Sequence, residues 1–251
     1  MNEALTEPDS TIPSRLYANP QARASWARAF LILAMVASVA ACISYFMEWR
    51  LLGEFQRGNF SVAKADANDL RQKVISWIGV GIQILTVIAL AGWLRRITLN
   101  LRPMVVGPLR YGPRWAALGW FVPILGFWRP KQVINQAWRV TTPGVPPPSK
   151  RREKANVPGI YAAWWALFLV AGFALRAASR STGTSIENLK SNDVGSIVAE
   201  VLWLGAAVLA ITVVSKLTAR QVDRAEELGI REWDAMDDMR SAEHDEAPAG
   251  W

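Results

Sequence analysis

A chain of 251 residues that is 51% hydrophobic and 20% charged is ordinary in bulk, but its apolar residues are gathered into blocks, which marks a membrane protein. The formal charge of +7 would suit a nucleic-acid binder, yet most Lys and Arg residues sit beside the apolar blocks, so they read as topogenic charge and no nucleic-acid partner is expected. With one Cys and one His, neither an intramolecular disulfide nor an ordinary structural zinc site can form; no Ser-His-Asp set, phosphate loop or paired carboxylate motif is visible, so no catalytic residue, metal or cofactor is expected.

Residues 1–28 form a polar tail expected on the cytoplasmic side, with Pro8, Pro13 and Pro20 and then Arg23 and Arg28 leading into the first apolar block. Residues 29–220 form the membrane domain. Its four spans are expected at 29–47, 74–94, 157–175 and 194–214, each about 19 to 21 residues or roughly 29 to 32 Å of helix. Trp26 and Trp49 bracket the first span as interfacial anchors. Val39-Ala40-Ala41-Cys42 has the shape of a lipoprotein cleavage site, but hydrophobicity continues through Met47, which favours an uncleaved span.

The connection 48–73 holds AKADANDLRQK, a short helix for the outer surface with no motif. The second span carries Gln83 near its middle, and helix is expected to run on until Pro103 stops it. Between Arg114 and Arg129 lie fourteen residues, WAALGWFVPILGFW, about 21 Å of helix and too short to cross a bilayer. A re-entrant or interfacial Trp/Pro-rich element at 115–140 is therefore expected, with Trp115, Trp120, Trp128, Arg129 and Trp138 as a basic, Trp-rich platform. Within it, Pro130 opens a helix whose Val133, Ile134, Ala137 and Trp138 share one face; it either lies in the headgroup region or packs on the ends of the spans.

TPGVPPPS at 142–149 is a stiff spacer, followed by Lys150, Arg151, Arg152 and Lys154, which can attract anionic lipid. The fourth span holds the only acid within any span, Glu200, expected to face other helices or water. It lies within reach of Gln83 after a modest tilt, with Arg176 as an ionic partner. A charged helix continues past Lys216, Ile230 and Trp233 with Met236 or Met239 suggest a brief amphipathic stretch, and 221–251 is an acidic cytoplasmic tail. With both termini cytoplasmic, the inner segments hold three, twelve and five Lys or Arg, against five and three outside, as the positive-inside rule requires.

Trp93-x-Arg95-Arg96, Asn100-Leu101, Pro113-x-Trp115, Gly119-Trp120-x-x-Pro123 and Trp128-Arg129-Pro130 followed by Trp138 together resemble a bacterial, largely actinobacterial membrane family called domain of unknown function 4328. The motifs run from about Trp93 to Trp138, and the flanking spans extend the resemblance over most of 29–220. Members often carry Asn where this chain has Gly126 and Glu where it has Gln136. The resemblance implies a helical protein of the bacterial plasma membrane and supplies no chemistry. The reading that uses every feature is a non-enzymatic scaffold or interaction protein, its partners the bilayer, anionic headgroups, and a membrane protein or second copy. The alternative is a subunit of an oligomeric transporter or channel using Gln83 and Glu200.

Overall fold

The computed structural model describes residues 17–105, 108–122, 124–144, 155–178 and 185–230. The tail up to residue 16, Pro123, most of the 142–149 spacer, Lys150 to Lys154, Trp233, Met236 and Met239 lie outside the described residues. Among the described residues the chain is helical without strands.

Three of the four long helices outrun a bilayer. Helix α1 (Gln21–Gln56), α2 (Val62–Asn100) and α6 (Ile186–Glu227) have 36, 39 and 42 residues, about 54 to 63 Å of helix against a hydrocarbon core of about 30 Å, while α5 (Gly159–Ala178), with 20 residues, matches it. All four carry windows apolar enough to cross a membrane, yet only 11% of that window is buried in α1 and 33% in α6. In water such exposed apolar faces would drive association; in a bilayer they are the lipid contact.

The expected outer helix at 63–73 is the first part of α2 and not a separate element. Helix α1 continues through residue 56, and the hairpin takes only residues 57–61. Gly58 makes so tight a turn feasible: at φ +87° its N–H donates to the Phe55 carbonyl at 3.0 Å while Asn59 N–H donates to Glu54 at 3.1 Å, a Schellman stop. Ser61 then caps α2, accepting from Lys64 N–H. The same stop closes α6, with Gly229 at φ +66° and Ile230 N–H donating to the Ala225 carbonyl at 2.9 Å. Helix α2 ends at Asn100, just before the 3-10 turn Arg102–Met104 that holds Pro103.

Helix α1 packs on α2 and α6, and α6 packs on α5. The side between α2 and α5 is bridged by two short helices, α3 (Pro113–Leu118) and α4 (Arg129–Val140), with α3 on α2 and α4 touching α2, α3 and α5. Each opens with a proline in its first turn, where a missing N–H costs no intrahelical bond.

The core is concentrated at one end of the bundle, the terminal end, away from the 57–61 hairpin. There Trp93, Leu94, Ile97 and Leu101 of α2 meet Val133, Ile134 and Ala137 of α4, Tyr161 of α5, and Val213, Val214 and Leu217 of α6, all essentially inaccessible. Of the two placements open for the amphipathic helix, the one packed on the helix ends holds for Val133, Ile134 and Ala137.

Candidate functional site: the Trp/Pro element and the cavity behind it

At the terminal end, side-chain hydrogen bonds tie the helices together. Trp93 Nε1 donates to Thr218 Oγ1 at 3.0 Å, Asn100 Nδ2 donates to Gln221 Oε1 at 3.1 Å, and Gln221 Nε2 donates to the Ile97 carbonyl at 2.9 Å. Asn100 also accepts from Ala18 N–H at 3.2 Å and donates to the Ala18 carbonyl at 2.7 Å, fastening the segment before α1. Both amides are fully buried, so the bonds from Asn100 to Gln221 and from Gln221 to Ile97 satisfy groups that water cannot reach, while the pair to Ala18 is partly buried.

The element between α2 and α5 turns its tryptophans two ways. Trp115 and Trp128 are exposed, alongside Leu118, Phe121, Val122, Ile124 and Phe127, forming an apolar outer edge. Arg129 sits inside that edge, its guanidinium 5.1 Å from the Tyr111 ring centre and 5.4 Å from that of Trp115. Trp120 points inward, edge-on to Trp165 and Phe168 with centres 6.1 and 6.3 Å apart. Trp138 is half-buried, tilted against Tyr161 with ring centres 5.0 Å apart, capped by the Arg220 guanidinium at 3.9 Å and donating to the Asn156 carbonyl at 3.1 Å.

The chain reverses tightly between these indoles. Gly119 lies where an added Cβ would stand 2.6 Å from the Trp115 carbonyl oxygen and 3.1 Å from Arg129 Cβ, so only glycine fits. At Gly126 a Cβ would meet the Trp120 carbonyl oxygen at 3.4 Å, an ordinary contact. Gln136 uses both ends of its amide on Tyr111, accepting from its N–H and donating to its carbonyl at 2.9 Å each. A glutamate there keeps the first bond and loses the second.

Depth along α5 follows from two contacts of Phe127. Its carbonyl accepts from Trp165 Nε1 at 2.7 Å, and its ring stacks on Phe173 with centres 5.7 Å apart. Those partners lie about 9 and 21 Å along α5 from Gly159. The turn at 125–127 therefore runs beside the middle of a membrane-length helix.

Behind Trp120 the four long helices enclose a cavity of about 290 Å³. Gln83 and Glu200 both line it, together with Ser38, Tyr45, Gln72 and Thr86 and an aromatic group of Trp120, Trp164, Phe168 and Trp203. The expected proximity of Gln83 and Glu200 is thus a shared cavity; the side chain within hydrogen-bond reach of Glu200 is Ser38, across the α1–α6 contact.

One cluster has no counterpart in the sequence reading. At the hairpin end, buried Ser44 donates to Gln72 Oε1 at 3.0 Å and accepts from Arg71 Nε at 3.2 Å. Asn68 donates to Glu48 Oε1 at 3.2 Å, Gln72 donates to the other oxygen of Glu48, and Arg71 donates to Asn68. Buried Asp193 of α6 comes within hydrogen-bond reach of Glu48 while its Oδ2 meets no donor. A bond between two carboxyl groups requires a proton on one of them. The signal was the facing i, i+4 pairs Ser44/Glu48 and Asn68/Gln72, invisible until the two helices were known to run on past the spans.

These features define a multi-pass helical membrane protein with a broken-helix element wedged into its bundle. The chain belongs to the family described as Domain of unknown function (DUF4328), which matches residues 57–219, from the α1–α2 hairpin through most of α6. Comparison with curated proteins and with solved structures gives no match.

Proposed function

We propose that this is a non-enzymatic scaffold of the bacterial plasma membrane, with both termini in the cytoplasm and residues 115–140 forming a Trp-rich, basic platform on the cytoplasmic side. The observation that carries it is the split of the element. One side is bolted to α5 through Trp120, Trp165 and Phe127, while Trp115, Leu118, Phe121, Ile124 and Trp128 are held outward on a tightly turned backbone. A mounted apolar edge flanked by Arg114 and Arg129 suits insertion among acyl chains and anionic headgroups, or the flank of another membrane protein or second copy. The depth of Phe127 beside Trp165 and Phe173 favours a re-entrant path over one lying flat.

Single cysteines at Leu118, Phe121 and Phe127, in a Cys42→Ser background and labelled with a small fluorophore in vesicles, test this. Lipid-attached quenchers should act at all three, the deep quencher most strongly at 127. Quenching only by a water-soluble agent would overturn the reading. The second reading, a subunit of an oligomeric transporter or channel, is favoured by Gln83 and Glu200 lining one cavity.

A further inference from the structure

We propose that the cavity behind Trp120 is a binding site for a small organic cation, a quaternary or tertiary ammonium carrying one aryl or short alkyl body. The inference rests on the cavity alone and stands whether or not the outer edge is a platform. Its volume of about 290 Å³ is near the lower end of the range of small-molecule pockets, and its wall is mostly apolar with a few converging polar groups, the usual make-up of such sites.

The chemistry of the wall selects the charge. Glu200 presents the one carboxylate among the lining residues. It is only half-buried and lines the cavity together with Ser38. One helical turn further along α6, Trp203 meets Phe168 edge-on with centres 5.2 Å apart, and Phe168 in turn meets Trp120 and Trp164 at 6.3 and 6.4 Å. Aromatic rings grouped beside a carboxylate attract an alkylammonium through ring faces and charge together. An anion would face the carboxylate unaided, because no Lys or Arg is among the described residues that line the cavity. A neutral hydrocarbon would leave Glu200 and Gln83 without compensation.

At the hairpin end Gln72 and Tyr45 line the cavity, Gln72 donating to Glu48 and Tyr45 lying near Glu48 and Asp193.

Benzyltrimethylammonium and its uncharged carbon isostere, neopentylbenzene, separate charge from shape. Calorimetric titration of the full chain in nanodiscs, with empty nanodiscs subtracted, should show saturable binding of the cation and none of the isostere. Glu200→Gln keeps the shape of the side chain and should weaken the cation at least tenfold, whereas Ala207→Phe, which fills the cavity from its wall, should abolish binding. Thermal melting of both variants confirms that they fold. Equal binding of cation and isostere, unchanged affinity in a folded Glu200→Gln, or a copurified acyl chain that the cation never displaces would each overturn the proposal.

Discussion

Asn100→Ala tests the reasoning about the terminal-end core. The substitution removes three hydrogen bonds from a fully buried amide. The two to Ala18 are partly buried, so water can replace them and each is worth only about 0.5–1.5 kcal/mol. The one to Gln221 is buried, and stranding Gln221 Oε1 costs about 1–3 kcal/mol. The sum centres at about 4 kcal/mol, and at about 2–4 °C per kcal/mol for a domain of this size the melting temperature should fall by roughly 8 to 16 °C. Asn100→Asp keeps the shape but turns two donor contacts into acceptor against acceptor, so it should be at least as damaging. Adding Gln221→Leu to Asn100→Ala should recover part of the loss, because the stranded oxygen is gone. The assay is thermal unfolding in mild detergent followed by tryptophan emission. A melting temperature within about 2 °C of the parent for Asn100→Ala, or strictly additive losses in the double variant, would refute the account.

Gly119→Ala forces a Cβ to 2.6 Å from the Trp115 carbonyl, an atom of the main chain that cannot swing aside, and should cost about 1–3 kcal/mol in the same melting assay; an unchanged melting temperature would show that the 115–128 turn is not as tight as described. For orientation, Asn59→Cys in the hairpin and Arg139→Cys at an exposed position of α4, each in the Cys42→Ser background, should differ in intact cells. An impermeant thiol reagent should reach 59 alone, and labelling of 139 would reverse the proposed topology.

The four spans were legible because lipid selects for length and apolarity, properties a linear pattern carries directly. So was the packed face of α4, since Val133, Ile134 and Ala137 recur at helical spacing whatever they pack against. The tryptophans between 115 and 138 could be picked out from the sequence, but not the directions in which they point. That Trp120 turns inward while Trp115 turns outward goes with the tight reversal at Gly119, where a Cβ would strike the Trp115 carbonyl four residues back, a spatial constraint that the motif carries without showing its direction. The depth of Glu200 and Gln83 could be counted along their helices, but their shared cavity depends on α1 packing on both α2 and α6, which no local pattern encodes. The Glu48 cluster was missed because residues 48–73 read as a connection, whereas two helix ends facing each other are what bring Ser44, Asn68 and Gln72 together.

A backbone broken into short turns leaves polar groups that the turns themselves or neighbouring side chains must meet wherever water is excluded. Local turns meet part of that demand: Gly126 N–H donates to the Val122 carbonyl at 2.7 Å, Phe121 N–H to Leu118 at 3.0 Å, and Trp128 N–H to Leu125 at 3.1 Å. What the local turns leave over at Phe127 is met by the Trp165 indole from α5. An indole suits that task because its single N–H can be offered to a main-chain carbonyl while the rest of the ring packs on Phe168 and Trp120. The density of tryptophan through this region therefore has two separable causes. Trp93, Trp138 and Trp165 carry main-chain or side-chain acceptors across helices, which explains their burial or half-burial. Trp115 and Trp128 offer exposed ring faces beside Arg129, where hydrogen-bonding inside the protein explains nothing and the solvent they face does. Loss of the first set should therefore appear in stability, and loss of the second in what the protein touches.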